Sequence, residues 1–212
     1  IWRNFCISDS YEPGSTFKPF TIASALEEAV ITTAETFLCN GGEQVADYYI
    51  SCHNQWGHGL INAAQSIMHS CNDVLMEVAK REGREIFAEY QRRFLFGELT
   101  GVDLPGEVPG ILMEEEELNA TELATSSFGM SFNTTMIQLG AAFSSMVNGG
   151  IYYEPHAVKE IRNADGVVLE RIEPRAVCST VSKETSEFLR DAFYLTVQEG
   201  TATAAKVDGY LI

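Results

Sequence analysis

A serine and a lysine at the start of a helical pattern constrain this chain more than any other feature. Ser15 and Lys18 lie in the segment YEPGSTFKPF, residues 11–20, after which apolar residues recur at helical spacing. Pro19 falls in the first helical turn, where its missing N–H is tolerated. A spacing of three puts Ser15 and Lys18 on one face, about one turn apart. A serine hydroxyl is a weak nucleophile that a lysine activates only when burial or nearby positive charge lowers the lysine pKa. The pair predicts either an activated nucleophile or a serine helix cap beside an unrelated surface lysine.

A second short motif, Ser70-Cys71-Asn72, opens another apolar helical pattern. S-x-x-K followed by S-x-N is the pattern of penicillin-binding proteins and class A β-lactamases. Further segments resemble the transpeptidase domain of class B penicillin-binding proteins and follow one another in the family's order: GHG (57–59), GVDLPGE (101–107), ATSSFG (124–129), IQL (137–139), NGG (148–150) and EGT (199–201). Because this order runs from about residue 3 to the last residue, it is more specific than either short motif.

The resemblance implies the α+β fold of penicillin-binding transpeptidases and serine β-lactamases, in which helices flank a central antiparallel sheet. We expect residues 1–212 to be part of one such domain, a mostly helical lobe with an incomplete sheet. The family's third motif, Lys-Ser/Thr-Gly, does not occur in the sequence, and the resemblance places it shortly after residues 206–212. The resemblance implies that the strand beyond that motif supplies an oxyanion-hole N–H, and loss of one such donor in comparable sites costs about 2.7–4 kcal/mol of transition-state stabilisation. We therefore expect the chain as given to be an inactive fragment of an enzyme.

The resemblance assigns the chemistry to Ser15, Lys18, Ser70 and Asn72. Ser15 would attack a D-alanyl-D-alanine stem peptide, release the terminal D-alanine and form an acyl-enzyme, which the amine of a second peptide resolves into a peptidoglycan cross-link. Lys18 would accept the serine proton, and Ser70 would relay a proton to the leaving amine. Asn72 would hydrogen-bond Lys18 and the substrate amide. β-Lactams mimic the D-Ala-D-Ala end and would acylate Ser15, and none of these steps needs a cofactor. Taken without the resemblance, Ser70 and Asn72 would be helix-capping residues.

Three cysteines and a histidine form a further pattern between the two motifs. Twelve, five and twelve residues separate Cys39, Cys52, His58 and Cys71. Thiolates with one imidazole make a common tetrahedral structural zinc site, and some elongation-type class B penicillin-binding proteins resemble this pattern in carrying a zinc here. Cys71 is the middle residue of S-x-N and is expected to point away from the cleft, toward Cys52 and His58. The sequence predicts a zinc site.

Two alternatives remain for these cysteines. One is a Cys39–Cys52 disulfide, which an environment outside the cytoplasm would permit, and the other is that all are buried thiols. The other two cysteines, Cys6 and Cys178, are predicted to be core residues. The histidines His53 and His69 are predicted to lie at the surface rather than to bind a metal.

The net charge of −16 excludes nucleic acid as a partner, because nucleic-acid binding needs clustered Lys and Arg. The run Glu114-Glu115-Glu116-Glu117 is predicted to be a solvated loop or helix start rather than a metal site. No apolar stretch approaches the roughly 18 residues of a membrane span, and no signal peptide opens the chain, so we expect this segment itself to be soluble. The resemblance nevertheless implies a parent anchored in the bacterial cell membrane, with its catalytic domain on the extracytoplasmic side and a glycosyltransferase of the cell-wall machinery as partner.

Two other functions fit the Ser/Lys pattern. A serine β-lactamase would add efficient deacylation, but the long class B-like segments after residue 100 argue against it. A non-enzymatic penicillin-sensing domain would use the same fold for binding alone. The sequence does not distinguish a role in elongation and cell shape, in cell division or in sporulation.

Local signals also predict individual elements. Residues 1–8 are predicted to be a short strand leading to the nucleophile helix, and residues 34–60 a loose hairpin. Asn62 is predicted to cap a helix through residue 69, and Gly83 to separate helices over residues 72–81 and 84–93. Further predictions are a loop over residues 101–118, a helix capped by Asn133 through residue 147, an Asp-Gly hairpin over residues 158–171 and a helix from Ser182 to Gly200.

Overall fold

Helices form most of the structure, a computed structural model that describes residues 3–210. Within these residues the helices are α1 Phe5–Ser8, α2 Lys18–Glu27, α3 Ala63–Met68, α4 Asn72–Arg93, α5 Ala120–Ser126, α6 Met136–Val147 and α7 Lys183–Gln198. Three 3₁₀ turns cover Gly14–Phe17, Glu115–Glu117 and Thr203–Ala205. None of the described helices combines the length and apolarity needed to cross a membrane.

The strands are short and pair two by two, each pair antiparallel. They are β1 Ser10–Tyr11, β2 Thr36–Cys39, β3 Gly42–Val45, β4 Tyr48–Ser51, β5 Gly59–Asn62, β6 Thr134–Thr135, β7 Ile151–Tyr153, β8 Glu160–Arg162, β9 Val168–Arg171 and β10 Ala176–Ser179. Within the described residues the pairs are β1–β6, β2–β5, β3–β4, β7–β10 and β8–β9. In the β2–β5 pair Cys39 lies opposite Gly59, which brings Cys39 beside His58.

The core lies between α2 and the long helix α4. Most of α2 is buried, so it is a central helix rather than a surface one. Aromatic rings surround its first turn: the centroid of Phe17 lies 4.7 Å from that of Phe132, and the centroid of Phe20 lies 4.8 Å from that of Phe94. Such edge-to-face pairs add to the burial energy of the rings. The apolar cluster therefore fixes the segment that carries Ser15 and Lys18.

Several predicted boundaries are confirmed. The side chain of Asn62 accepts a hydrogen bond from the N–H of Gln65 and caps α3. Ser182 caps α7 in the same way through Thr185. Gly83 interrupts the helical backbone of α4 with φ 80° and ψ 163°, a conformation that glycine adopts without a Cβ clash. The Asp-Gly hairpin forms as β8 and β9.

Other predictions are corrected. Residues 5–8 are helical rather than extended, because the Asn4 side chain accepts from the N–H of Cys6 and starts a helix there; residues 1–2 of the predicted strand lie outside the described part. Helix α6 begins after Thr135 and not, as predicted, after Asn133. Residues 134–135 pair with β1 instead, and Thr135 forms a capping box with Gln138.

The predicted loose hairpin over residues 34–60 is a nested pair of hairpins. The outer pair β2–β5 encloses the inner pair β3–β4. Helix α5 and the pair β7–β10 had no predicted counterpart. Cys6, predicted to be a core residue, is exposed, and Cys178 is half-buried.

Candidate active site

The turn that carries Ser15 is held by a segment more than a hundred residues away. Ser15 is exposed on the 3₁₀ turn Gly14–Phe17. The N–H of Gly14 donates to the carbonyl of Gly129 at 2.8 Å. A Cβ on Gly129 would overlap the Gly14 carbonyl oxygen, so only glycine permits this approach. The ATSSFG segment thus sets how the chain enters the turn that carries Ser15.

Lys18 is buried, with only 2% of its surface exposed. Its Nζ donates to the carbonyl oxygen of Ser70 at 2.6 Å and to the Ser70 Oγ at 2.8 Å. Burial lowers the pKa of Lys18 to about 8, and the nearby thiols of Cys52 and Cys71 oppose this shift. The structure thereby supplies the burial that activation of Ser15 requires.

Ser70 lies in a strained turn between α3 and α4. Its φ is 53°, in the left-handed region that a residue with a Cβ rarely occupies. The N–H of Cys71 donates to the carbonyl of Ser66 at 2.9 Å, as in the helix-terminating motif that usually places glycine at this position. A non-glycine residue held there costs roughly 1–3 kcal/mol, and such strain is concentrated at functional sites. The turn directs the Ser70 hydroxyl toward Lys18.

The other two predicted catalytic residues make different contacts. The Asn72 amide donates to the carbonyl of Ser51, at the end of β4, at 3.2 Å, and not to Lys18 as expected. The Ser15 hydroxyl has no hydrogen-bond partner among the residues described. Catalytic hydrogen bonds are often loose before substrate binds. The structure therefore joins Lys18 directly to Ser70, with Ser15 one turn before Lys18 and Asn72 two residues after Ser70.

The four predicted metal ligands lie close together, next to the turn that carries Ser70. The Sγ of Cys39 lies 3.4 Å from His58 Nδ1, and the Sγ of Cys52 lies 3.9 Å both from His58 Nδ1 and from the Sγ of Cys71. All four ligand atoms lie within 4.8 Å of one another. The three cysteines are buried, and all five cysteines of the chain are free, so the Cys39–Cys52 disulfide is not formed.

This cluster fits a tetrahedral metal site. Zn–S bonds of about 2.3 Å and Zn–N bonds of about 2.0–2.1 Å place two sulfurs about 3.8 Å apart, and a sulfur and a nitrogen about 3.6 Å apart, around a tetrahedron. The observed 3.4 and 3.9 Å separations are close to these distances. The donor set of three sulfurs and one imidazole is also one that zinc prefers.

The electrostatics of the cluster also bear on metal binding. Burial raises the pKa of Cys39 and of Cys71 above the ordinary range. Burial acts in the same direction on Cys52, but N–H groups of the following turn and of the start of α4 outweigh it and lower the pKa of this thiol. Burial lowers the pKa of His58, so its ring is neutral at neutral pH and available as a ligand.

Three histidine rings form a row beside this cluster. The centroid of His58 lies 5.2 Å from that of His53 and 5.2 Å from that of His69. His53 is exposed, as predicted, whereas His69 is half-buried rather than a surface residue. The row itself was not predicted, since their separation in sequence gives no sign of it. It links the cysteine cluster to His69, the residue before Ser70.

Comparison with known proteins gives a match over the whole chain. The family model described as "Penicillin binding protein transpeptidase domain" matches residues 1–212. Stage V sporulation protein D of Bacillus subtilis is 38% identical over 212 residues, which are 99% of this chain and 33% of that protein. The chain therefore spans about a third of the length of this curated relative.

Solved structures show the same fold. The D,D-transpeptidase domain of a peptidoglycan glycosyltransferase from Eggerthella lenta superposes with a TM-score of 0.91 at 26% identity, over 99% of this chain and 54% of that one. Penicillin-binding protein 3 from Mycobacterium tuberculosis, in complex with aztreonam, gives a TM-score of 0.87 at 25% identity, over 98% of this chain and 48% of that one. The α+β fold expected from the sequence is confirmed.

Proposed function

Since this chain belongs to the penicillin-binding protein transpeptidase family, we propose that it carries the nucleophile and the proton-transfer residues of a serine-type peptidoglycan D,D-transpeptidase. The observation that supports this most is the buried position of Lys18, one turn after Ser15. Its Nζ donates a hydrogen bond to Ser70 Oγ at 2.8 Å. We assign the activity to a protein in which residues 1–212, as part of one transpeptidase domain, are joined to the family's Lys-Ser/Thr-Gly motif.

In this mechanism Ser15 Oγ attacks the carbonyl of the penultimate D-alanine of a stem peptide. Lys18 accepts the Ser15 proton, since a pKa of about 8 leaves part of its population neutral near neutral pH. Ser70 passes a proton from Nζ to the leaving D-alanine amine. The amine of a second stem peptide then attacks the acyl-enzyme carbonyl and gives up a proton, which Lys18 passes to Ser15 Oγ as the ester bond breaks. This step forms the cross-link and regenerates Ser15.

The proposed ligands and partners follow from the relatives. Stem peptides are the substrates and β-lactams the inhibitors, in keeping with a structural relative that was solved with aztreonam. A glycosyltransferase partner is in keeping with a relative whose transpeptidase domain belongs to a peptidoglycan glycosyltransferase. We place the whole protein at the bacterial cell membrane, with this domain on the extracytoplasmic side.

Labelling with a fluorescent penicillin tests the nucleophile. In the protein with the complete active site, we expect covalent label on Ser15, because the β-lactam carbonyl is attacked as the stem peptide is. Ser15→Ala should abolish the label, which gel fluorescence and peptide mass spectrometry would measure.

Ser144→Ala is a matched control, since Ser144 is an exposed serine of α6 that bonds only the Gly140 carbonyl. Label that persists in Ser15→Ala would contradict the assignment. Rapid loss of the label with hydrolysed penicillin would instead indicate a β-lactamase.

We also propose that a structural zinc ion is held by Cys39, Cys52, His58 and Cys71. The near-tetrahedral spacing of their ligand atoms and the donor set of three sulfurs and one imidazole support this proposal. The ion would tie the nested hairpins to the start of α4, because Cys39 and Cys52 come from the hairpins and Cys71 precedes α4. Its charge would stabilise the buried thiolates of Cys39 and Cys71.

Elemental analysis of protein purified under reducing conditions without added metal tests this site. We expect one zinc per chain and its loss in Cys71→Ser, whereas Cys178→Ser, which lies outside the cluster, should retain it. Less than about 0.2 zinc per chain would contradict the proposal, since a closed structural site stays occupied. A mass showing a Cys39–Cys52 disulfide in untreated protein would favour that alternative.

A further inference from the structure

The turn after α7 touches the end of α3, two residues before Ser70. The N–H of Thr201 donates to the carbonyl oxygen of Met68 at 3.1 Å, and the Thr201 hydroxyl lies 3.3 Å from the same oxygen. Met68 is the last residue of α3. Its carbonyl is one of the helix-end groups that have no partner within the helix. Thr201 therefore supplies the partner of this carbonyl from a distant part of the chain.

Gly200 allows the two turns to approach this closely. A Cβ on Gly200 would lie 2.5 Å from the Met68 carbonyl oxygen and 2.7 Å from Met68 Cγ. The N–H of Gly200 is bonded to the Thr196 carbonyl, so the turn cannot move away without opening the end of α7. Any larger residue would have to displace Met68, and with it the turn that follows.

The turn that follows is the strained one at Ser70. Its left-handed φ of 53° is held by the hydrogen bond from Cys71 N–H to the Ser66 carbonyl and by the two hydrogen bonds from Lys18. A shift of Met68 would change this geometry first, because Met68 lies between Ser66 and Ser70. The position of Ser70 Oγ relative to Lys18 Nζ therefore depends on the contact at Met68.

We propose that Gly200 and Thr201 are positioning residues for Ser70. By fixing the Met68 carbonyl they keep Ser70 in the conformation that places its hydroxyl against Lys18. This inference rests on the proposed function, since it gives the EGT segment a role in proton transfer without contact with substrate.

Gly200→Ala is the direct test, in the protein with the complete active site. We expect its rate of acylation by a fluorescent penicillin to fall by at least about tenfold, because small misplacements of catalytic groups have effects of this size or larger. The pH dependence of acylation should also shift, since the contacts of Lys18 with Ser70 change, and a purely structural role would not alter it. Gly140→Ala is the matched control, because a Cβ on this helical glycine meets nothing within 4 Å.

A second variant covers the case in which Gly200→Ala does not fold. Thr201→Val removes the hydroxyl contact but keeps the backbone N–H, and it should slow acylation by a few-fold, about 2–5-fold. Thr201→Ser keeps the hydroxyl and should restore the original rate. Wild-type acylation and pH profile in both Gly200→Ala and Thr201→Val would overturn the proposal.

Hydrogen exchange separates this inference from the proposed function. In the same proteins, the amides of residues 69–71 should exchange faster in Gly200→Ala than in Gly140→Ala, whether or not penicillin reacts. Unchanged exchange there would overturn the positioning role. Absence of penicillin labelling in the wild-type protein, together with faster exchange in Gly200→Ala, would overturn the proposed function and leave Gly200 as the residue that fixes the turn.

Discussion

At the scale of single residues, Lys18 illustrates how burial creates reactivity. An ammonium group loses its hydration when it is buried, which favours the neutral amine. The pKa of Lys18 falls to about 8 for this reason, while its Nζ keeps two hydrogen-bond acceptors on Ser70. A general base is most effective when its pKa lies near the working pH. Lys18 thus combines contact with the second motif and a pKa suited to proton transfer.

We therefore expect the rate of acylation of Ser15 to rise with pH and to level off above a pH of about 8, as the neutral fraction of Lys18 grows. Lys18→Arg should lower this rate by roughly 10²–10⁴-fold, because a guanidinium does not accept a proton at these pH values. Labelling rates with penicillin across the pH range would measure both effects.

Lys80→Arg is the matched control, since Lys80 is an exposed lysine paired with Glu43 at 2.9 Å. A flat profile between about pH 6 and 9 in the wild-type protein would show that Lys18 is not the titrating base.

At the scale of elements, the packing of α4 against α2 encloses an unusual acid. Glu82, the residue before the break at Gly83, is 5% exposed, and neither of its carboxyl oxygens has a hydrogen-bond partner among the residues described. Burial raises its pKa to about 8, and the nearby negative charge of Glu28, the residue that follows α2, adds to this shift. The side chain is therefore a neutral carboxylic acid at neutral pH.

This acid makes the stability of the fold depend on pH. The unfolded pKa is 4.5 and the folded pKa about 8, so between these values only the folded state holds the proton. The stability that the protonated Glu82 contributes to the folded state is fully present below pH 4.5. It is lost as the pH rises through the folded pKa of about 8. In this window the free energy of unfolding should fall by at most about 1.4 kcal/mol per pH unit. Glu82→Gln should remove this slope, because glutamine does not ionise.

Denaturant unfolding at several pH values would measure the slope in the wild-type protein and the variant. Glu89→Gln, a substitution at an exposed position of the same helix, should leave it unchanged. An equal slope in Glu82→Gln and in the wild-type protein would mean that other groups cause it.

At the scale of the whole molecule, segments far apart in sequence meet at the turns that carry Ser15 and Ser70. Gly129 supports the entry to the Ser15 turn, Lys18 reaches Ser70, and Thr201 supports Met68. The last two contacts join residues 52 and 133 positions apart. The helices hold these segments in place, and the nested hairpins together with the start of α4 form the cysteine cluster. Two of the segments that resemble the family contribute to this arrangement, ATSSFG through Gly129 and EGT through Thr201.

Local signals in the sequence were enough to predict much of this protein. The caps at Asn62 and Ser182 and the break at Gly83 depend on groups within a few residues, so their chemistry is visible in the sequence itself. The position of Ser15 one turn before Lys18, and the order of the family segments, are local or linear properties in the same sense.

Only the tertiary structure decided the rest. The pairing of residues 134–135 with β1, a contact between distant segments, delayed the start of α6. The helix at residues 5–8 is a different case, since its Asn4 cap is a local signal that the prediction of a strand overlooked. The burial of Lys18, the left-handed turn at Ser70 and the support of Met68 by Thr201 come from packing between distant segments. Burial and close approach depend on which surfaces meet in three dimensions, and spacing along the chain does not record that.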